Sequence, residues 1–180
     1  MDHIIGIRRE DKNKWERRVP VVPADMAALI RDRGLQFVVQ SSPIRIFRDP
    51  EYERAGARVE EALERCGVVL AVKEIPPPLL REGVVYVFFS HTTKGQTYNM
   101  DMLRRLLALK CTLIDYERIV DKAGKRLILF GRHAGLAGMI DTLGSLGKRL
   151  GHEGLQPNPL AAIKPAHQYA DLNAALVHLH

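Results

Sequence analysis

Val68-Val69-Leu70-Ala71-Val72-Lys73-Glu74 is an unbroken apolar run closed by a lysine and a glutamate. It reads as a short buried strand. Two other runs end in the same way. Val84 to Phe89 passes through Ser90 into His91, and Thr112 to Ile114 passes into Asp115, with Glu117 just beyond. In open α/β sheets, ligands sit outside the carboxyl ends of the strands. Three such strands, each running into an ionisable residue, predict a polar site on one edge of a sheet. A lysine and a histidine there are the usual materials of proton transfer.

Outward from these strands, His3 to Arg8 is expected to be a first strand and Arg9 to Arg18 a charged loop. Pro23 opens a helix, Gly34 stops it, and Leu35 to Val39 forms a second strand. A strand–helix–strand unit with short connections is the signature of a parallel sheet. Pro50 to Ala55 reads as a helical turn and Glu60 to Arg65 as a short helix. Met100 to Leu109 is an amphipathic helix with Leu103, Leu106 and Leu107 on one side. The turn Asp121 to Lys125 leads to a last strand, Leu127 to Phe130.

From Gly131 to Leu150 the apolar spacing predicts one long helix, and Leu172 to Leu179 a short one. Gly131, Gly135, Gly138 and Gly144 each cost roughly 1 kcal/mol there against alanine, so a closely packed neighbour is expected. The fold class is therefore α/β: a Rossmann-like three-layer domain with a mainly parallel sheet, followed by a long C-terminal helix. Residues 1–150 form the domain and 151–180 a linker and helix.

The 180 residues, 46% of them hydrophobic, suffice for a proper core. A net charge of +6 favours anionic ligands. Two cysteines without a CxxC argue against a disulfide scaffold. No apolar run approaches the ~20 residues that span a bilayer, so no membrane partner is expected. The start carries no secretory signal, which makes the cytoplasm the default, or the mitochondrion if a transit peptide was removed.

Arg8 to Arg18 is basic and holds the single tryptophan, but Glu10, Asp11 and Glu16 dilute the patch, which argues against nucleic acid. No G-x-G-x-x-G or G-x-x-x-x-G-K-[ST] occurs. Gly131-x-x-x-Gly135-x-x-Gly138 has the wrong spacing for a dinucleotide loop; helix packing is its reading, a phosphate at the helix start the alternative. The remaining histidines show no metal spacing, and no metal is expected.

Each candidate has a plain alternative. An arginine of Trp15-Glu16-Arg17-Arg18 could grip a carboxylate with two parallel hydrogen bonds, or simply line a solvated loop. A lysine at a buried strand end can serve in proton transfer when burial disfavours its ammonium form, or can snorkel to water. His91 could be an acid–base group or a cap bonded to backbone. Asp115 and Glu117 could hold a substrate ammonium or orient a base, or bridge to Arg118 or Lys122.

Taken together, these segments resemble a known family. Ile5-Gly6-Ile7-Arg8-Arg9-Glu10-Asp11 through Trp15-Glu16-Arg17-Arg18-Val19-Pro20 looks like the opening of the lysine-ketoglutarate reductases, or lysine-forming saccharopine dehydrogenases. Val72-Lys73-Glu74, then Phe88-Phe89-Ser90-His91-Thr92-Thr93-Lys94-Gly95-Gln96, and Leu113-Ile114-Asp115-Tyr116-Glu117 follow in family order. Phe130-Gly131-x-x-Ala134-Gly135-x-Ala137-Gly138 completes the series. The wider superfamily is the N-terminal domain of alanine dehydrogenase and pyridine nucleotide transhydrogenase. One departure is His133, where the family usually has an aromatic residue.

The resemblance implies an oxidoreductase that condenses L-lysine with 2-oxoglutarate and reduces the imine to saccharopine with NAD(P)H. It implies Lys73 and His91 as the acid–base pair. Arg18, Arg126 and Lys94 would meet substrate carboxylates, and Glu74 and Glu117 would tune the lysine or meet the substrate amine. NAD or NADP would be bound mainly by a nucleotide-binding domain absent from this chain, supplied in cis or in trans. The isolated chain is then expected neither to bind cofactor tightly nor to turn over. The rivals are an alanine-dehydrogenase-like enzyme acting on another amino acid and a non-catalytic module that binds dicarboxylates or amino acids.

Overall fold

The computed structural model describes residues 4–93 and 95–179. Contacts divide the chain into two compact units, Met1–Ile128 and Leu129–His180. The first holds β1 (Ile4–Ile7), α1 (Pro23–Arg33), β2 (Gln36–Gln40), α2 (Asp49–Arg54), β3 (Arg58–Glu60), β4 (Val68–Leu70), β5 (Val85–Phe88), α3 (Met100–Ala108) and β6 (Thr112–Asp115). The second holds α4 (Gly131–His152) and α5 (Leu172–Leu179).

All six strands pair in parallel, in the order β3-β2-β1-β4-β5-β6. This is the doubly wound order, and its direction reverses between β1 and β4. Both faces of the central strands are covered, as in an all-parallel sheet, while β6 leaves Thr112 and Ile114 exposed. Side chains alternate along β2: Phe37 and Val39 join Ile7, Met26 and Tyr52 in one core. Val38 joins Ile4, Val69, Tyr86, Phe88, Met102 and Leu106 in the other. Full burial of each large apolar side chain contributes about 1.5–3 kcal/mol. The buried phenols keep partners: Tyr52 donates to the Val21 carbonyl at 3.0 Å, and Tyr86 accepts the Arg81 N–H at 2.8 Å. A Cβ on Gly6 would stand 3.0 Å from Cys66 Sγ, so glycine lets that thiol pack on β1.

Helix α1 begins at Pro23 and closes on Gly34 in the left-handed region (φ 64°), whose N–H bonds the Ile30 carbonyl. Three details differ from the sequence reading. The expected helix Glu60–Arg65 is absent: Glu60 ends the edge strand β3 (Arg58–Glu60), and residues 61–65 form a bend and a turn. Its acidic and basic residues imitate a solvated helix face, but Val59 packs on the core beneath β2 and draws the segment into the sheet. Leu127–Phe130 is not a strand; the turn Asp121–Lys125 closes only an isolated antiparallel bridge, Val120 to Arg126. On α3, Met102 and Leu106 face the core one turn apart, which leaves Leu107 exposed.

The second unit packs on Ile140, Ile163 and Ala175. Close approach explains only part of the glycine pattern in α4. A Cβ on Gly144 would lie 3.2 Å from the Ile163 carbonyl, and one on Gly147 only 2.3 Å from that of Leu160. A Cβ on Gly135 or Gly138 would meet nothing. Among the described residues, no helix is long and apolar enough to cross a membrane.

Candidate active site

The carboxyl ends of the central strands bring the ionisable residues to one edge of the sheet. Beyond β1 come Arg8, Arg9 and Glu10; beyond β4, Lys73 and Glu74; beyond β5, Ser90 and His91; at the end of β6, Asp115, with Glu117 following.

Lys73 is half-buried and opens on a cavity of about 660 Å³ that it shares with Asn13, Trp15, Glu16, Arg17, Arg18 and Ile46. Arg18 is gripped from below by Glu16, through Nε to Oε1 at 2.7 Å and Nη2 to Oε2 at 2.5 Å. Burial pushes the Glu16 carboxyl up, but the two-pronged bond from Arg18 and the charge of Lys73 bring it below its ordinary value. The same pair raises the Arg18 guanidinium. The cavity therefore presents Arg17, the Arg18 guanidinium held by Glu16, and Lys73, with the Glu16 carboxylate already engaged.

Glu74 lines a different cavity, together with Asp11, Lys12 and Asn99. Its side chain is 9% exposed and receives three side-chain hydrogen bonds: Lys12 Nζ at 2.7 Å, His91 Nδ1 at 2.9 Å and Asn99 Nδ2 at 3.3 Å. Burial alone would raise its carboxyl. Those bonds, with one from backbone, overcome that and bring it down to about 2. A carboxylate held ionised on Nδ1 fixes the imidazole orientation and leaves Nε2 as the nitrogen that can face a ligand.

The backbone of His91 is itself unusual, with φ 51°. A non-glycine residue in the left-handed region is strained and persists only where its surroundings over-determine it. Those surroundings are visible. Ser90, fully buried, donates its hydroxyl to Asp115 and accepts the Thr92 N–H at 3.2 Å, while Asn99 donates to the Ser90 carbonyl at 2.8 Å. Asp115 also accepts the Glu117 N–H at 2.8 Å, so one carboxylate braces the ends of β5 and β6. It is not bridged to Arg118 or Lys122, the plain alternative the sequence left open. The Glu117 side chain instead pairs with Arg126 at 2.9 Å.

The predicted residues thus come together as three pairs: Lys73 with Arg18, Glu74 with His91, and Glu117 with Arg126. Lys94 lies outside the described residues. Sequence reasoning missed Lys12, Asn99 and, above all, Glu10, whose buried carboxylate accepts the backbone N–H groups of Val72 and Lys73. The strand-end rule that found Lys73 and His91 points to Glu10 as well, once it is applied to β1. Among the described residues, no cluster of three or more histidine, cysteine or acidic side chains could hold a metal.

Comparison with known proteins shows the family and the fold that this chain shares. A family model described as alanine dehydrogenase/PNT, N-terminal domain, matches residues 6–137. Over 96% of its length the chain is 40% identical to alpha-aminoadipic semialdehyde synthase of Arabidopsis thaliana and 38% identical to the mitochondrial protein of that name from Mus musculus. It covers only 16% and 18% of those proteins. It is 33% identical over 77% of its length to the L-lysine-forming, NAD(+) saccharopine dehydrogenase of Candida glabrata, of which it covers 38%. Among solved structures, an L-alanine dehydrogenase aligns with 83% of the chain at a TM-score of 0.62 and 21% identity, covering 42% of that chain; the likeness is one of fold.

Proposed function

The chain belongs to the alanine dehydrogenase/PNT N-terminal domain family, and on that premise we propose that it is the substrate-binding, acid–base part of an oxidoreductase that condenses L-lysine with 2-oxoglutarate and reduces the imine to saccharopine. The name of one relative, an L-lysine-forming saccharopine dehydrogenase, supports lysine and saccharopine. The observation that carries the reading is Glu74 holding His91 Nδ1 at 2.9 Å, one residue beyond a lysine that shares a cavity with Arg18.

Condensing an amine with a keto carbon removes protons from nitrogen and expels the keto oxygen as water, which requires a base and an acid. Lys73 and His91 fill these roles, His91 through Nε2 because Glu74 occupies Nδ1. Arg18, held by Glu16, takes a substrate carboxylate through its guanidinium. Arg126 and Lys94 are assigned to further carboxylates, and Glu117 to the substrate amine.

A nicotinamide cofactor, NAD or NADP, would supply the hydride. The described residues do not fit one. At the reversal between β1 and β4, where a doubly wound sheet seats a pyrophosphate, the turn Arg8-Arg9-Glu10 has no glycine and carries a buried carboxylate. Gly131 is the first residue of α4, and Gly135 and Gly138 lie within it. Cofactor binding is therefore assigned to a nucleotide-binding domain other than this one, in cis or in trans, and to no residue here. The compartment proposed is the cytoplasm or the mitochondrion.

The test is NAD(P)H oxidation by the full reading frame that contains this chain. Oxidation that requires both lysine and 2-oxoglutarate is expected. Turnover with a different amino acid would point to an alanine-dehydrogenase-like enzyme. Binding of 2-oxoglutarate without reduction, with a nucleotide domain supplied, would make the chain a binding module.

A further inference from the structure

Glu10, beyond the end of β1, is a buried carboxylate that the proposed chemistry does not use. It is 5% exposed and lies three residues past β1. The β1–β4 ladder ends when Arg8 N bonds the Leu70 carbonyl at 2.9 Å. Beyond that point the two backbones part, and the Glu10 side chain replaces the missing strand. Oε1 accepts the Val72 N–H at 2.6 Å and Oε2 the Lys73 N–H at 3.1 Å. No other side-chain hydrogen bond is assigned to it: Arg8, the adjacent cation, is committed to Asp11 and to the Arg9 carbonyl. On its far side, the Val72 carbonyl accepts the Phe89 N–H at 3.2 Å, which ties the same peptide to the end of β5.

Two successive N–H groups need two acceptor oxygens side by side. A carboxylate provides them; an amide offers one oxygen and turns an NH₂ donor toward the second N–H. Burying a carboxylate with only backbone donors is costly, and burial does raise this carboxyl above its ordinary value despite the two bonds. What the arrangement secures is the backbone direction at Lys73 and Glu74, where one side chain must enter the Arg18 cavity and the next must reach His91. We propose that Glu10 is a positioning residue that acts through the Val72 and Lys73 amides to aim Lys73 at the Arg18 cavity and Glu74 at His91. The inference rests on the reading of Lys73 and His91 as the acid–base pair.

Glu10→Gln keeps the shape and removes one acceptor; Glu10→Asp keeps both oxygens and retracts them. Two measurements separate this inference from the proposed function. The first needs no turnover. In ¹⁵N and ¹³C spectra of this chain, E10Q is expected to move the Val72 and Lys73 amides, the Lys73 side-chain ε signals and the His91 ring signals, while resonances of α1 and α3 stay in place. Movement of the amides alone, with Lys73 Cε and the His91 ring unchanged, would overturn the proposal. Should E10Q fail to fold, E10D is read in the same way.

The second uses the full reading frame. E10Q is expected to lower kcat about 10- to 100-fold with KM for 2-oxoglutarate within about threefold, the scale of a small misplacement of a reacting group. The loss should be smaller on a Lys73→Met background, because part of the effect runs through Lys73. An equal loss on both backgrounds would mark a merely structural role and contradict the proposal. If the wild type shows no lysine-dependent turnover, the proposed function fails while the spectra still decide the role of Glu10.

Discussion

Glu74 Oε1 stands 2.9 Å from His91 Nδ1, and Glu74 Oε2 stands 2.7 Å from Lys12 Nζ, so a single carboxylate ties the end of β4 both to the end of β5 and to the loop after β1. With its carboxyl down at about 2, Glu74 stays ionised through the working range.

That gives a pH dependence with a definite sign. A carboxyl lower in the folded than in the unfolded state contributes stability that is complete above its ordinary value of 4.5 and is lost as pH falls toward about 2. Urea unfolding of wild type and Glu74→Gln is expected to show the wild type more stable at pH 6, with the gap closing between pH 5 and 2. A gap that is constant over this range would contradict the pairing.

The strained turn at His91 depends on Ser90. Ser90→Ala removes the hydroxyl bonded to Asp115 and strips the Thr92 N–H of its acceptor in a fully buried position. Thermal or chemical unfolding is expected to show a loss of about 1–3 kcal/mol, larger than that for a Ser→Ala change on the surface.

Helix α4 separates two kinds of glycine. Gly147→Ala would drive a methyl into the Leu160 carbonyl and is expected to destabilise by about 1–3 kcal/mol. Gly135→Ala meets no atom and is expected to stabilise by up to about 1 kcal/mol through helix propensity. Paired melting curves of the two variants check both signs.

Much of this was legible because strands buried on both faces leave apolar runs, and their ends are marked by the first ionisable residue. That located β1, β2, β4, β5 and β6, and with them Lys73 and His91. β3 was not legible, since Arg58-Val59-Glu60 offers one apolar residue and pairs only because β2 lies beside it. Leu127–Phe130 failed in the opposite sense: an apolar run does not make a strand where only one bridge forms. The pairings within the site were invisible because they join residues far apart in the chain. Glu10 meets Val72 across 62 positions, and only the parallel register of β1 with β4 brings them together.

Arg18 is expected to carry much of the affinity for a substrate carboxylate. Arg18→Met should weaken 2-oxoglutarate binding by about 1.5–3 kcal/mol, roughly 10- to 150-fold, as read by calorimetry on the full reading frame. Glu16→Gln loosens the guanidinium without removing it and should cost less.

The measurement that bears most directly on the central claim is lysine-dependent NAD(P)H oxidation by the full reading frame, compared between wild type and Lys73→Met/His91→Gln. Turnover in the wild type that is lost in the double variant, with saccharopine still bound, is the expected result. Turnover indifferent to both substitutions would contradict the assignment of Lys73 and His91 as the acid–base pair.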